Sequence, residues 1–149
     1  MNIKSRSDRH VLLADLAFPE SPRWHDGRLW VSDWGANEVI AVDLAGQSEV
    51  VARVESFPMC IDHLPDGRLL IVSSADRRLL RQEPGGSLVA HADLASLGEH
   101  PWNDIVVDGR GNATTYTYTN ADDDTNSHPN SGARSAGHQP LDSYASSDR

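Results

Sequence analysis

The sequence predicts an all-β fold in which a unit of short strands repeats, the pattern of a β-propeller. Hydrophobic residues recur in short alternating runs, and no window keeps a helical period. Asp-Gly pairs separate two of these runs, at Asp26 and Gly27 and again at Asp66 and Gly67, and such pairs favour tight hairpins. The two glycines lie 40 residues apart in similar stretches, and four short strands per roughly 40–45 residues is typical of propeller blades.

The elements follow from this repeat. The first two hairpins are predicted over residues 24–32 and 64–72, and a weaker third copy covers 107–113. Two further strands are expected after each of the first two hairpins, at 39–42, 50–54, 78–81 and 88–91, with glycines in the turns between them. Residues 11–16 are expected to form a strand that would close the ring. A β-sandwich is the alternative, although it does not require similarity at a fixed period.

Composition narrows the classes of partner. The chain has 149 residues and a formal net charge of -9, which argues against nucleic acid and against anionic membrane surfaces. The single cysteine, Cys60, excludes an internal disulfide and is expected in the core. Because no secretion signal or membrane span is evident, a cytoplasmic location is expected.

The chain divides into three parts: a flexible N-terminus over 1–10, a partial propeller over 11–113 and a disordered tail over 114–149. The tail contains Leu141 but no Ile, Val, Phe, Trp or Met, so it cannot offset the entropy of ordering. Thr and Tyr in 114–119 could extend a strand. Six blades need roughly 240–270 residues, so we expect about two and a half blades of a truncated six-bladed ring, and a shifted reading frame is one hypothesis for the tail.

The repeat carries motifs of a known family. Residues 18–24 read Phe-Pro-Glu-Ser-Pro-Arg-Trp ahead of the strand 27–33, and residues 103–108 read Asn-Asp-Ile-Val-Val-Asp. With the Asp-Gly-Arg-Leu stretch at 66–69, these residues resemble the regucalcin/gluconolactonase family, also called senescence-marker-protein-like. The resemblance covers about residues 11–113.

The resemblance implies a six-bladed propeller with one divalent metal ion (Ca, Zn, Mg or Mn) in its channel, and hydrolysis of a small-molecule lactone. It implies that Glu20 is a metal ligand and that Asn103 contacts substrate or water; both residues precede equivalent strands and are expected at one channel mouth. Read alone, Glu20 suits a solvated loop and Asn103 a turn cap. Pro101 stands where the family has a sugar-binding Arg, which weighs against a sugar lactone.

The resemblance leaves the catalytic residues unassigned, because the remaining family ligands would come from later blades. We therefore expect this chain to be inactive by itself. A non-catalytic binding module that uses exposed strand edges and a non-functional remnant are the alternatives.

Overall fold

The computed structural model describes residues 10–97, 101–117 and 137–140. Within them the chain forms eleven β-strands in three antiparallel sheets and one short 3-10 turn at Ala95–Leu97. None of the described segments is a helix of the length and apolar character that a membrane crossing requires. The all-β prediction is confirmed. The strands are β1 (Pro19–His25), β2 (Arg28–Asp33), β3 (Glu38–Val42), β4 (Ser48–Arg53), β5 (Pro58–His63), β6 (Leu69–Ser73), β7 (Arg78–Gln82), β8 (Leu88–Asp93), β9 (Trp102–Val107), β10 (Ala113–Thr117) and β11 (Gly137–Pro140).

The first sheet has the order β1-β2-β3-β4 and the second has the order β5-β6-β7-β8. The third sheet joins β9, β10 and β11. Sequential strands are neighbours in each four-stranded sheet, which is the simple up-and-down arrangement that short turns allow. The first strand of each sheet is its edge strand, and the edge strands β1, β5 and β9 contact one another in series.

The predicted hairpins form at both Asp-Gly pairs. Asp26 and Gly27 have φ of 48° and 72°, and positive φ at both central residues matches a two-residue type I′ turn. The second hairpin is longer. The Gly67 N–H donates to the Leu64 carbonyl at 2.8 Å, and Gly67 takes a φ of 85° that suits glycine.

The first and second sheets have the same pairing pattern. The β1–β2 pairing runs from His25↔Arg28 to Pro19↔Asp33, and the β5–β6 pairing runs from His63↔Leu69 to Pro58↔Ser73. Each pairing contains an irregularity near the start of the inner strand. Asn37 and Arg77 repeat at an interval of 40 residues, both with positive φ. The predicted repeat is therefore confirmed.

The core lies between successive sheets, and β6 sits at its centre with all five residues buried. Leu69 and Ile71 join a cluster with residues of the first sheet such as Val39. Leu70 and Val72 join a second cluster that includes Trp102 and Ile105 of β9. Because successive strand residues point to opposite faces, β6 connects the two clusters, and each fully buried apolar side chain contributes about 1.5–3 kcal/mol.

Two of the predictions concern the segments near the chain ends. The strand predicted at 11–16 does not form, since these residues pair with no strand and Asp15 has a φ of 61°. Apolar content alone does not make a strand when no partner lies alongside. At the other end, two parts of the tail predicted as disordered are strands: residues 114–117 belong to β10, as Thr and Tyr favour, and residues 137–140 form β11, which pairs with β10. Residues 1–9, 118–136 and 141–149 lie outside the described residues, so disorder there stays a prediction.

Candidate metal and substrate site

The innermost strands β1, β5 and β9 run side by side in the same direction. The Ser21 hydroxyl links the first two, because its Oγ accepts the Ile61 N–H at 3.0 Å and donates to the Ile61 carbonyl at 3.2 Å. The Asp62 carboxylate links the second pair by accepting the Val107 N–H at 2.7 Å. These bonds join residues 40 and 45 positions apart, so equivalent positions of the three strands lie at the same level. We call the end at which the three strands begin the strand-start end.

Glu20 and Asn103 lie at the strand-start end. Glu20 is the second residue of β1 and Asn103 is the second residue of β9, and Met59 occupies the same place in β5. Glu20 is exposed and Asn103 is half-buried. A register irregularity follows Glu20, where Ser21 has a φ of 52°, and such bulges redirect side chains near functional sites. In the cross-strand pairing Glu20 is opposite Ser32, whereas Asn103 falls in the register irregularity of β9, so the expected equivalence of the two positions stays a prediction, as do the ligand and substrate roles.

Several carboxylates of the inner strands lie near Cys60 and affect the pKa of its thiol. Burial is the main cause that raises the pKa of the Cys60 thiol well above its usual value. The carboxylates of Asp104, Asp62 and Glu20 add to this rise, while the Arg23 guanidinium opposes it. Three carboxylates from three inner strands therefore act on one buried point, and Cys60 is a free thiol in the core, as expected.

Arg23 partly balances this charge. Its Nη2 donates to Asp104 Oδ1 at 3.1 Å and to the Ile105 carbonyl at 3.0 Å, and its Nε lies 3.9 Å from Asp62 Oδ1. One side chain thus connects all three inner strands. Sequence reasoning missed this role, although an Arg inside the Glu-x-Pro-x-Trp motif was visible, because the partners are about 40 and 80 residues away.

The opposite end of β1 and β5 carries a second group that the sequence did not reveal. The rings of His25 and His63 stack with centroids 3.8 Å apart and planes 9° apart, and Trp30 meets His63 edge-on at 4.7 Å. Burial, followed by the neighbouring His25, lowers the pKa of His63 to about 4. Because imidazole lone pairs lie in the ring plane, two parallel stacked rings cannot both bind one metal ion.

A cavity of about 730 Å³ also lies away from Glu20. It lies between the first and second sheets near their turns, and it is lined by Trp30, Glu49, Arg68, Gln82 and Glu83. Its charged groups are largely paired with one another. Arg68 contacts Glu83, and Arg28 pairs with Glu49 at 2.5 Å. This cavity is therefore separate from the strand-start end.

The family model described as the SMP-30/Gluconolactonase/LRE-like region matches residues 18–138. The chain belongs to this family. The match begins at the Phe-Pro-Glu motif and continues past residue 113, where the sequence resemblance ended. No curated protein sequence matches the chain.

Solved structures share the fold. A gluconolactonase from Xanthomonas campestris matches with a TM-score of 0.61 at 18% identity, over 70% of this chain and 36% of its own. A candidate gluconolactonase matches with a TM-score of 0.62 at 22% identity, over 88% of this chain and 48% of its own. A virginiamycin B lyase from Staphylococcus aureus matches at 0.54 and 16%, over 68% and 35%. The chain thus spans about a third to a half of these structures, and the predicted partial propeller is confirmed.

A divalent ion in this family member would find only part of its coordination shell among the described residues. No group of three or more His, Cys, Asp or Glu side chains is arranged there to hold a metal. The carboxylate of Glu20 and the amide of Asn103 are oxygen donors of the kind that hard cations prefer. Asp62 and Asp104 already accept the bonds described above, so they fit less well as ligands. The oxygen atoms of Glu20 and Asn103 therefore suit a divalent metal ion. Two side chains are too few to complete its coordination shell, so further residues would be needed.

Proposed function

We propose that this chain carries part of the active site of a metal-dependent lactone hydrolase. Glu20 would hold a divalent ion at the strand-start end, and Asn103 would contact the lactone or the attacking water. The observation that carries the proposal is the shared placement of Glu20 and Asn103 as second residues of two equivalent inner strands, in a chain whose family match begins at residue 18. The family resemblance supports the lactone as the substrate class.

The chemistry follows from the residues at this end. A bound divalent ion supplies Lewis acidity toward a carbonyl oxygen and toward water. Glu20 offers a full negative charge on an exposed side chain, which suits binding a cation that retains access to solvent. The Asn103 amide can donate to a carbonyl oxygen and accept from water with the same group. Arg23 fixes β9 against β1, which holds the two positions at a constant separation.

The proposal is tested by metal binding, which does not depend on turnover. Ca²⁺, Zn²⁺, Mg²⁺ and Mn²⁺ are titrated separately into the 149-residue chain by calorimetry. Glu20→Gln should weaken binding of the preferred ion at least tenfold, because it removes the charge and keeps the shape. Glu49→Gln is the matched control. Glu49 lies near the start of β4, at the opposite end from Glu20, and 60% of its side chain is exposed. Equal affinities in the wild type and Glu20→Gln would contradict the ligand role.

Hydrolysis of γ-butyrolactone is measured on the same samples through the acid that it releases. We expect little or no turnover from this chain, because the described residues supply an incomplete shell. Metal binding that depends on Glu20 but comes without turnover is therefore the expected result, whereas specific capture of a partner without metal binding would favour the binding-module alternative. Aggregation without cooperative unfolding would favour the remnant.

A further inference from the structure

Three aromatic side chains meet at the strand-start end. Phe18 precedes β1, Trp34 follows β2 and Phe57 precedes β5. The Phe18 and Trp34 centroids are 4.4 Å apart, and those of Trp34 and Phe57 are 5.9 Å apart in an edge-on arrangement. We call this group the aromatic trio. Phe18 lies two residues before Glu20, so the trio borders the proposed metal site.

The trio is held firmly on the Phe18 side. Asp33 is 2% exposed, and its two carboxylate oxygens accept the N–H groups of Ala17 at 2.8 Å and Phe18 at 2.7 Å. Gly35 allows this approach, since a Cβ there would lie 3.0 Å from the Ala17 Cβ and 3.1 Å from the Phe18 Cβ. Carboxylate bonds to two successive N–H groups fix the backbone more strongly than neutral bonds would.

The Phe57 side shows backbone strain. Phe57 has a φ of 45°, which bulky residues rarely adopt and which marks functional segments when the surroundings maintain it. Here its carbonyl accepts the Ser74 N–H at 3.0 Å, and the preceding Ser56 carbonyl accepts the Ser73 hydroxyl at 3.0 Å. The fold therefore maintains an unfavourable conformation at the residue that completes the trio.

The trio also leaves two interactions unmet. Phe18 is 51% exposed and Phe57 is 46% exposed, so two large apolar rings of the trio face solvent. Trp34 Nε1 is buried and has no hydrogen-bond partner among the described residues, which carries an energetic cost. Exposed aromatic rings that border a site with polar groups are typical of a place where an apolar part of a ligand binds.

We propose that the aromatic trio binds the apolar substituent of the substrate, so that the preferred substrates are lactones with an aryl or alkyl side group. This inference rests on the proposed function. The size of the trio favours a small molecule, because three centroids spanning at most about 10 Å offer far less area than the roughly 800 Å² per partner of a protein interface. Pro101, exposed beside β9, adds no hydrogen-bond donor for a polyhydroxylated substrate.

Two lactones that share the reacting ring test this inference. Equilibrium binding of γ-butyrolactone and γ-phenyl-γ-butyrolactone to the metal-loaded 149-residue chain is measured by ligand-observed NMR titration. The wild type should bind the phenyl compound about tenfold more tightly, as expected for one ring contacting two aromatic neighbours. The double variant Phe18→Ala with Phe57→Ala should remove this preference. Leu44→Ala is the control, since Leu44 is 66% exposed in the turn after β3, at the opposite end.

The outcomes separate the two proposals. Phenyl-lactone preference that disappears in the double variant but not in Leu44→Ala supports the trio even if no turnover occurs, and the hydrolase proposal is then judged on Glu20 alone. If the alanine variant does not fold, Phe18→Leu with Phe57→Leu keeps the apolar bulk and should reduce the preference about threefold. Equal binding of the two lactones by the wild type, or an unchanged preference in a folded double variant, would overturn the trio. Concentration-dependent association that buries Phe18 would instead identify a second copy as its occupant.

Discussion

Protonation of His63 should make the contact between the first and second sheets sensitive to acid. His63 faces His25 of β1 and Trp30 of β2, with Asp62 and Arg23 as the nearby charged groups. Burial, His25 and Arg23 lower its pKa to about 4, against the opposing effect of Asp62. In the unfolded chain the ordinary value is about 6.5. Between these two values the unfolded state binds a proton that the folded state excludes, so stability falls as the pH drops from about 6.5 to about 4.

The magnitude follows from the shift. A difference of about 2.5 pKa units corresponds to at most about 3.4 kcal/mol. His63 is only half-buried, so solvent screening reduces the expected loss to about 1.5 kcal/mol. His63→Phe keeps an aromatic ring against His25 and Trp30 but removes the titrating group.

The assay is urea unfolding followed by tryptophan fluorescence at pH 7.5, 6.5, 5.5 and 4.5. The wild type should lose about 1.5 kcal/mol more than His63→Phe over this range, whereas His10→Asn, an exposed control, should follow the wild type. Parallel curves for the wild type and His63→Phe would refute the reasoning. An NMR titration that places the pKa of His63 at 6 or above would refute it independently.

Three further predictions concern the strand-start end and the inner strands. Asp33→Ala should lower the free energy of unfolding by about 3 kcal/mol, because two N–H groups lose a charged acceptor; a loss below about 1 kcal/mol in urea unfolding would contradict this. Arg23→Gln should cost about 1 kcal/mol, since 27% of its side chain is exposed, and unchanged stability would show that its ion pairs contribute nothing. Iodoacetamide at pH 8 should label Cys60 at least 100-fold more slowly in the native chain than in urea, because its thiol is buried and its pKa is raised. Similar rates would mean that the core opens readily.

The sequence predicted the local parts of the fold because turn chemistry and strand periodicity act over a few residues. Asp26 with Gly27 and Asp66 with Gly67 form the expected hairpins, and the strand predicted at 39–42 lies within β3. The prediction at 11–16 failed for the opposite reason. A strand forms only when another strand pairs with it, and the apolar residues of this segment do not indicate whether such a partner lies alongside.

The contacts between sheets were beyond the sequence. His25 and His63 do not occupy matched places, because the position that corresponds to His63 in the first sheet is Trp24, which pairs with Leu29. Their stack depends on hairpins of different length. Trp24 itself is 58% exposed. Such outcomes depend on how two sheets meet, and the repeat does not specify that.

The proposed site shows how a repeat can carry chemistry that each unit lacks. Glu20, Met59 and Asn103 are each the second residue of an inner strand, although Glu20 pairs with Ser32 while Met59 and Asn103 fall in register irregularities. The Met59 thioether is a soft, weak ligand and suits a hard cation poorly, so the proposed metal ligand Glu20 and the proposed substrate contact Asn103 come from the first and third sheets, across the second. Their separation then depends on the alignment of β9 with β1, which Arg23 fixes through Asp104 and the Ile105 carbonyl. Arg23→Gln should therefore weaken lactone binding as well as stability, because Arg23 positions Asn103 relative to Glu20. Unchanged lactone affinity in that variant would show that the position of Asn103 does not depend on Arg23.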